Sequence, residues 1–248
     1  MWLFVYYDYF QKLTIINLFV ILFIVGEKML LVQDYGNILI SLIATLMALF
    51  VAMPFHEFAH AFAAKREGDY TAVACKRYTL APFAHFNLWG FLFLFLFGFG
   101  WANPVPVDSR NFKRGRKSEF MVAIAGILMN LLLGTVFLFI YMCLCKFCPT
   151  FLMTNWYGNL LAEFLVTSVS FNFMLAFFNL LPIYPLDGYK VVESLCKQDN
   201  AFLSFMRNNS LIVYILFALT GLYSLYYSVT AGLLLEGLQK LFAIILRL

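Results

Sequence analysis

The 248-residue chain is 63% apolar and only 12% charged, with a mean hydropathy of +0.85, against roughly 45–50% apolar and 25% charged residues in soluble domains. So few polar side chains cannot cover a water-facing surface, which excludes a soluble fold and makes the bilayer the chain's solvent. The net charge of +4 does not point to nucleic acid; the cations matter through their position, because cytoplasmic loops of membrane proteins are enriched in Lys and Arg.

The length accommodates five to seven spans of about 20 residues each. No charged or Pro/Gly/Ser-rich linker, internal repeat or low-complexity tract divides the chain, so residues 1–248 read as one membrane-embedded domain with no nucleotide-binding module. Five cysteines cannot all pair within the chain. Cys145 and Cys148 form a single C-x-x-C that lacks the second pair of a zinc ribbon, and they read as structural or incidental. The first residues carry neither a basic start nor a small-residue cleavage site, so the segment is expected to be retained.

In chain order, Leu13 to Gly26 is apolar but short, bounded by Lys12 and Glu27-Lys28, and spans only if it takes in Trp2 to Phe10. Asn37 to Phe62, Phe120 to Leu144, Leu160 to Leu181 and Leu211 to Tyr227 are predicted spans. The tail Ala231 to Leu248 is either a closing span or an amphipathic helix at the interface. Leu88 to Ala102 is apolar too, but as a helix it covers only about 22 Å of a roughly 30 Å core. Lys65, Arg66, Lys76 and Arg77 precede it, and Arg110, Lys113, Arg114, Arg116 and Lys117 follow. The positive-inside tendency puts both basic groups on the cytoplasmic side, so this segment is expected to dip in and return. Re-entrant backbone is tolerated only where protein or a wet cavity covers it. The fold class is therefore an all-α integral membrane protein with five to six transmembrane helices and a re-entrant segment near residues 79–108.

Ionisable groups inside spans cost ~2.5–3.5 kcal/mol each on insertion scales and call for a reason. His56 and His60, four apart, fall on one helical face and can offer two nitrogens to a zinc ion. Glu57 lies one position on, able to reach a water at the metal without ligating it and to take and return its proton. A catalytic zinc takes a third protein ligand and keeps one position open. Glu119 follows Ser118 at a helix start, where capping accounts for it, and Glu163 sits near the external end of its span. Asp187 falls near the cytoplasmic end of its span, as His56 and His60 do of theirs. Pro182 and Pro185 interrupt the helix before it, and Gly188 permits a sharp turn after it.

His-Glu-Phe-Ala-His over residues 56–60 in one span, followed by N-x-x-P-x-x-x-x-D-G over residues 179–188 near a later one, resembles the site-2 protease family of intramembrane metalloproteases. The resemblance runs from about Leu39 to Leu195 and takes in Tyr78 to His85, Gly98 to Val107 and Ala125-Gly126. It is nearest the compact members that lack an inserted peptide-binding or cystathionine-synthase-like domain. It implies a catalytic core over residues 36–195, between an N-terminal hydrophobic segment (1–35) and C-terminal helices (209–248). By the same resemblance His56, His60 and Asp187 hold one zinc ion per chain and Glu57 is the catalytic acid/base. Asn179 matches an asparagine that holds substrate backbone, and Asn130 falls where the family reads A-G-P-x-x-N; either is expected to bind substrate, by orienting its backbone or stabilising the developing oxyanion. Ile127 stands here in place of that proline, and Ala81 and Leu88 replace a common Asn and Pro. Asn103 is expected to line substrate or make a simple turn; His85 reads as a polar loop residue. The implied partners are a transmembrane protein substrate and the bilayer, with no nucleic acid or nucleotide, and the active site faces the cytoplasmic side. Two other readings of the same residues are a catalytically silent adaptor and a membrane metal-binding or transport protein.

Overall fold

The computed structural model describes residues 35–90 and 103–248. These form α1 (Tyr35–Arg66), α2 (Thr71–Ala74), α3 (Pro82–His85), a 3-10 turn (Ser109–Asn111), α4 (Arg116–Phe147), α5 (Pro149–Thr154), α6 (Trp156–Leu180), α7 (Asp187–Leu195), α8 (Ala201–Thr220) and α9 (Leu222–Leu246). Among the described residues, four stretches are long and apolar enough to cross a membrane: Leu39–Arg66, Arg116–Phe147, Trp156–Leu180 and Leu222–Leu246. The predicted N-terminal segment, Leu13 to Gly26, lies outside the described residues.

In lipid the hydrophobic effect gives helices little reason to associate, so close packing of small residues and interhelical hydrogen bonds must hold them together. α1 meets this requirement with a stripe of every fourth residue. Ala44, Ala48, Ala52 and Ala64 are all 0% exposed, and His56 and His60 continue the same stripe between them. Against it lie α4 and α6, which pack closely on each other in turn: a Cβ at Gly134 would come within 2.5 Å of the Phe173 ring. Leu138, Met142, Leu165, Val169 and Phe173 form the core between these two helices, and Leu235, Phe242 and Leu246 of α9 complete it.

The C-terminal region departs from the predicted span Leu211 to Tyr227. Gly221 adopts φ +69, ending α8 at Thr220 and starting α9 one residue later. The left-handed conformation costs glycine little, and a continuous hydropathy run cannot register it. α8 is also broken at Asn209 (φ −119), so its apolar part is short. The tail is instead one 25-residue helix, whose end at Leu246 accepts a hydrogen bond from the Lys146 ammonium at the end of α4.

Residues 91–102, the interior of the predicted dipping segment, also lie outside the described residues. The two flanks of that segment meet: Asn87 Nδ2 donates to Asn103 Oδ1 at 2.8 Å, Asn103 Nδ2 to the Phe86 carbonyl at 2.7 Å, and Asn103 N–H to the His85 carbonyl at 2.9 Å.

Polar staples close this end of the bundle. Glu67, just past α1, is gripped by the Arg114 guanidinium and accepts from Ser118 Oγ at 2.6 Å. Asp69, fully buried, accepts from the Thr71 hydroxyl, the Asp108 N–H at 2.8 Å and Asn111 Nδ2 at 2.9 Å. Arg114 and Ser118 push the Glu67 carboxyl down to about 2, from a usual value of 4.5. A carboxyl depressed in the fold contributes stability above its unfolded value, and that contribution is lost as pH falls through the folded one. Wild type and Glu67→Gln are therefore expected to unfold at different temperatures at pH 7 and to converge between about pH 5 and pH 2. A gap that stays constant across that range contradicts the assignment.

Candidate metal centre

The i, i+4 spacing in α1 stacks His56 and His60 with ring centroids 4.7 Å apart. Pro54, buried two residues earlier, removes one N–H from the helix ladder at this point. Asp187 reaches them from the first turn of α7, after the loop 181–186, in which the Tyr184–Pro185 peptide is cis. That loop folds tightly under α6, with Ile183 N–H on the Leu181 carbonyl and Leu186 N–H on the Ile183 carbonyl. Gly188 makes the approach possible, because a Cβ there would sit 2.6 Å from the Leu181 carbonyl oxygen and closer still to that of Leu180.

Three atoms converge: His56 Nε2 and His60 Nε2 are 3.1 Å apart, and Asp187 Oδ2 lies 3.1 Å from the first and 3.0 Å from the second. All three residues are buried, at 8%, 8% and 6% exposure. The far side of each imidazole faces an oxygen. His56 Nδ1 is 2.5 Å from Asn130 Oδ1, and His60 Nδ1 is 2.7 Å from the Val122 carbonyl. Assigned from this network, both rings carry their proton on Nδ1, leaving two Nε2 lone pairs and a carboxylate oxygen pointed at a common centre.

Such a donor set suits a cation. Ligands of tetrahedral zinc at 2.0–2.1 Å lie about 3.3 Å from one another, and two imidazoles plus one carboxylate is a donor set found at catalytic zinc. The edges of 3.0–3.1 Å are close to that spacing, and His56, His60 and Asp187 form a group that can hold a metal ion. Burial disfavours the ionised form of Asp187, but the neighbouring His60 and His56 outweigh it and hold the carboxyl below the usual carboxylate range. Lys190, 3.4 Å from Asp187 Oδ1, lies on the side away from the imidazoles.

Glu57 is not part of the triad. Its Oε2 accepts the Val105 N–H at 2.8 Å. Val105 belongs to the non-helical stretch 103–108, seated by burial against Ala61 and Ala72. Arg77 holds the same stretch from the other side, donating to the Asn103 carbonyl at 2.6 Å.

The three asparagines differ in setting. Asn103 spends its side chain on the flanks of the 88–102 segment. Asn130 is fully buried behind His56, with Nδ2 on Asn172 Oδ1 at 2.9 Å and on the Ala52 carbonyl at 3.4 Å. Asn179, half-buried, donates to the Leu175 carbonyl one turn back. His85 is buried with Nε2 on the Thr79 carbonyl at 2.8 Å, a loop contact outside the triad.

Two residues to which the sequence reading gave no role at the metal shape the centre. Gly126 faces the imidazoles so closely that a Cβ would sit 2.6 Å from His56 Cε1 and nearer still to His60 Nε2. Its position midway between Val122 and Asn130, at steps of four, is the signal that all three share one face of α4. Asn172 is a fully buried amide inside a membrane span, which by itself asks for a partner.

The pattern of Peptidase family M50 matches residues 44–222, a range that holds the triad, Glu57, Gly126 and all of α4 and α6. The chain belongs to peptidase family M50. That is the site-2 protease family whose motifs the sequence resembles. The chain is also 33% identical over 202 residues to a Bacillus subtilis (strain 168) protein named "Putative zinc metalloprotease YwhC", covering 80% of this chain and 90% of that one. No solved structure matches it. Its four apolar helices and its M50 membership make it an integral membrane protein and a membrane metalloprotease.

Gly126→Ala in this M50 protease is expected to lower zinc affinity by about tenfold or more, since the added methyl displaces the imidazoles. Gly134→Ala, whose added methyl meets the Phe173 ring first, is expected to lower the unfolding temperature and leave zinc content unchanged. Metal analysis of both purified variants checks the pair; a Gly126→Ala protein with wild-type affinity contradicts the packing argument.

Proposed function

We propose that this M50 protein is an intramembrane zinc endopeptidase that hydrolyses peptide bonds in or beside transmembrane segments of other membrane proteins, near the cytoplasmic surface. The observation that carries the proposal is the convergence of His56 Nε2, His60 Nε2 and Asp187 Oδ2 beside a carboxylate, Glu57, that is not one of them. One zinc ion per chain, held by those three residues, would polarise the scissile carbonyl and make a water acidic enough to ionise near neutral pH.

The remaining work falls to side chains and backbone. Glu57 is the acid/base: its carboxylate takes a proton from the attacking water and delivers it to the leaving amine. The Val105 N–H occupies Oε2, and Oε1 would take the proton. The non-helical stretch 103–108, pinned by Arg77, Asp69 and the Ala61–Ala72 contact, offers an unwound substrate backbone groups to pair with. A membrane helix satisfies its own hydrogen bonds, so it must open locally before its carbonyl can be attacked. Asn179, with no partner for Oδ1 among the described residues, is suited to hold a substrate N–H. Asn103 acts on substrate through the backbone it anchors.

Lys65, Arg66, Arg77, Arg114 and Lys190 gather at the same end of the bundle as the triad. The positive-inside tendency then supports a cytoplasmic-facing site. We assign the whole chain, 1–248, to one membrane-embedded protease unit.

Glu57→Gln is expected to keep its zinc while cleavage of a panel of synthetic transmembrane substrates falls by about 10²–10⁴-fold. Zinc retained with cleavage undiminished removes Glu57 from the mechanism. Asp187→Ala is expected to lose zinc, and an unchanged metal content refutes its role as third ligand.

A further inference from the structure

The polar contacts behind His56 form a chain whose direction is set at its far end. Asn172 Nδ2 donates to the Ser168 carbonyl at 2.8 Å, and a carbonyl oxygen can only accept. That contact decides which way the Asn172 amide faces, so Oδ1 is the atom it turns to α4. Asn130 must meet that oxygen with a donor, and does so with Nδ2 at 2.9 Å. The Ala52 carbonyl, at 3.4 Å, is a longer partner for the same NH₂ group. Asn130 Oδ1 is thereby turned to His56 Nδ1 at 2.5 Å, and an acceptor there requires the imidazole proton on Nδ1. Only then is the Nε2 lone pair free to face His60 and Asp187. Asn130, Asn172 and Ser168 are all 0% exposed, so no bulk water relieves a reversed amide. Reversal would set donor against donor at His56 and acceptor against acceptor between the two amides, a costly arrangement in a dry interior.

We infer that Asn172, which touches none of the three converging ligands, is a positioning residue: it holds Asn130 in the one orientation that keeps His56 Nε2 available to a metal ion. The inference rests on the zinc reading proposed above. It also gives Asn130 a role toward His56 rather than toward substrate. If Asn172 merely glued α4 to α6, no change at position 130 would restore the affinity lost with it. The relay makes a sharper demand. A carboxylate presents an acceptor whichever way it is turned, so Asp at position 130 needs no partner to orient it.

The test is zinc affinity of the purified full chain, by competition with a chromophoric chelator, in wild type, Asn172→Leu and Asn130→Asp/Asn172→Leu. Asn172→Leu is expected to weaken zinc binding about tenfold, and the double variant to return to within about threefold of wild type, on the scale of lost outer-sphere partners. Unchanged affinity in Asn172→Leu, or a double variant that binds no tighter than Asn172→Leu, overturns the inference. Wild type that binds no zinc overturns the metal site itself. A second measurement needs no variant. The chain has three histidines, so nitrogen NMR of ¹⁵N-histidine-labelled, metal-free wild type can be assigned ring by ring. The Nδ1–H tautomer is expected at His56, and the Nε2–H tautomer contradicts the relay.

Discussion

Three electron-pair donors held 3.0–3.1 Å apart inside a lipid-facing bundle impose the constraint to which the surrounding structure answers. Donors so close repel one another unless a cation joins them, and nothing apolar around them can relieve the repulsion. Each element near the centre can be understood as supporting that approach. The every-fourth-residue stripe of α1 is alanine above and below the imidazoles, so α4 and α6 come in close. Gly126 clears the space the rings occupy, and Gly188 lets the chain turn under α6 so that Asp187 arrives beside them. Helix association in lipid depends on such close approach rather than on apolar area. The packing that builds the bundle and the packing that builds the centre are therefore the same contacts.

A second constraint governs the stretch 103–108, which lies close to Glu57 with no helix or sheet of its own to hold it. Polar side-chain contacts supply what regular structure would have. Asp69 gathers donors from Thr71, Asp108 and Asn111, Glu67 is held by Arg114 and Ser118, and Arg77 takes the Asn103 carbonyl. Glu67 and Asp69 are buried, so removing one of their donors leaves a buried acceptor unsatisfied, and these staples fix the loop's position. Several cations that mark the sidedness of the chain are thus also structural ties.

The sequence made legible whatever depends on spacing along one element. His56 and His60 share a face because they are four apart, and the two prolines before Asp187, with the glycine after it, announce an interrupted helix. What it left hidden lies across elements. The Val122 carbonyl that holds His60 belongs to the backbone and leaves no trace in residue type, and neither does the Val105 N–H on Glu57. Asn172 was visible as a polar residue in a span, but its partner 42 residues away was not. Asn130 shows the same limit: its place in a motif drew attention to it, while its neighbours decide what it touches. At Gly221 the failure has another cause, since averaged hydropathy runs straight through a single left-handed residue.

X-ray absorption at the zinc edge of the purified, zinc-loaded protein tests the central claim most directly. The account requires a four-coordinate shell of nitrogen and oxygen at about 2.0–2.2 Å that includes two imidazoles. Sulfur at about 2.3 Å, or a shell with fewer than two imidazoles, would contradict it.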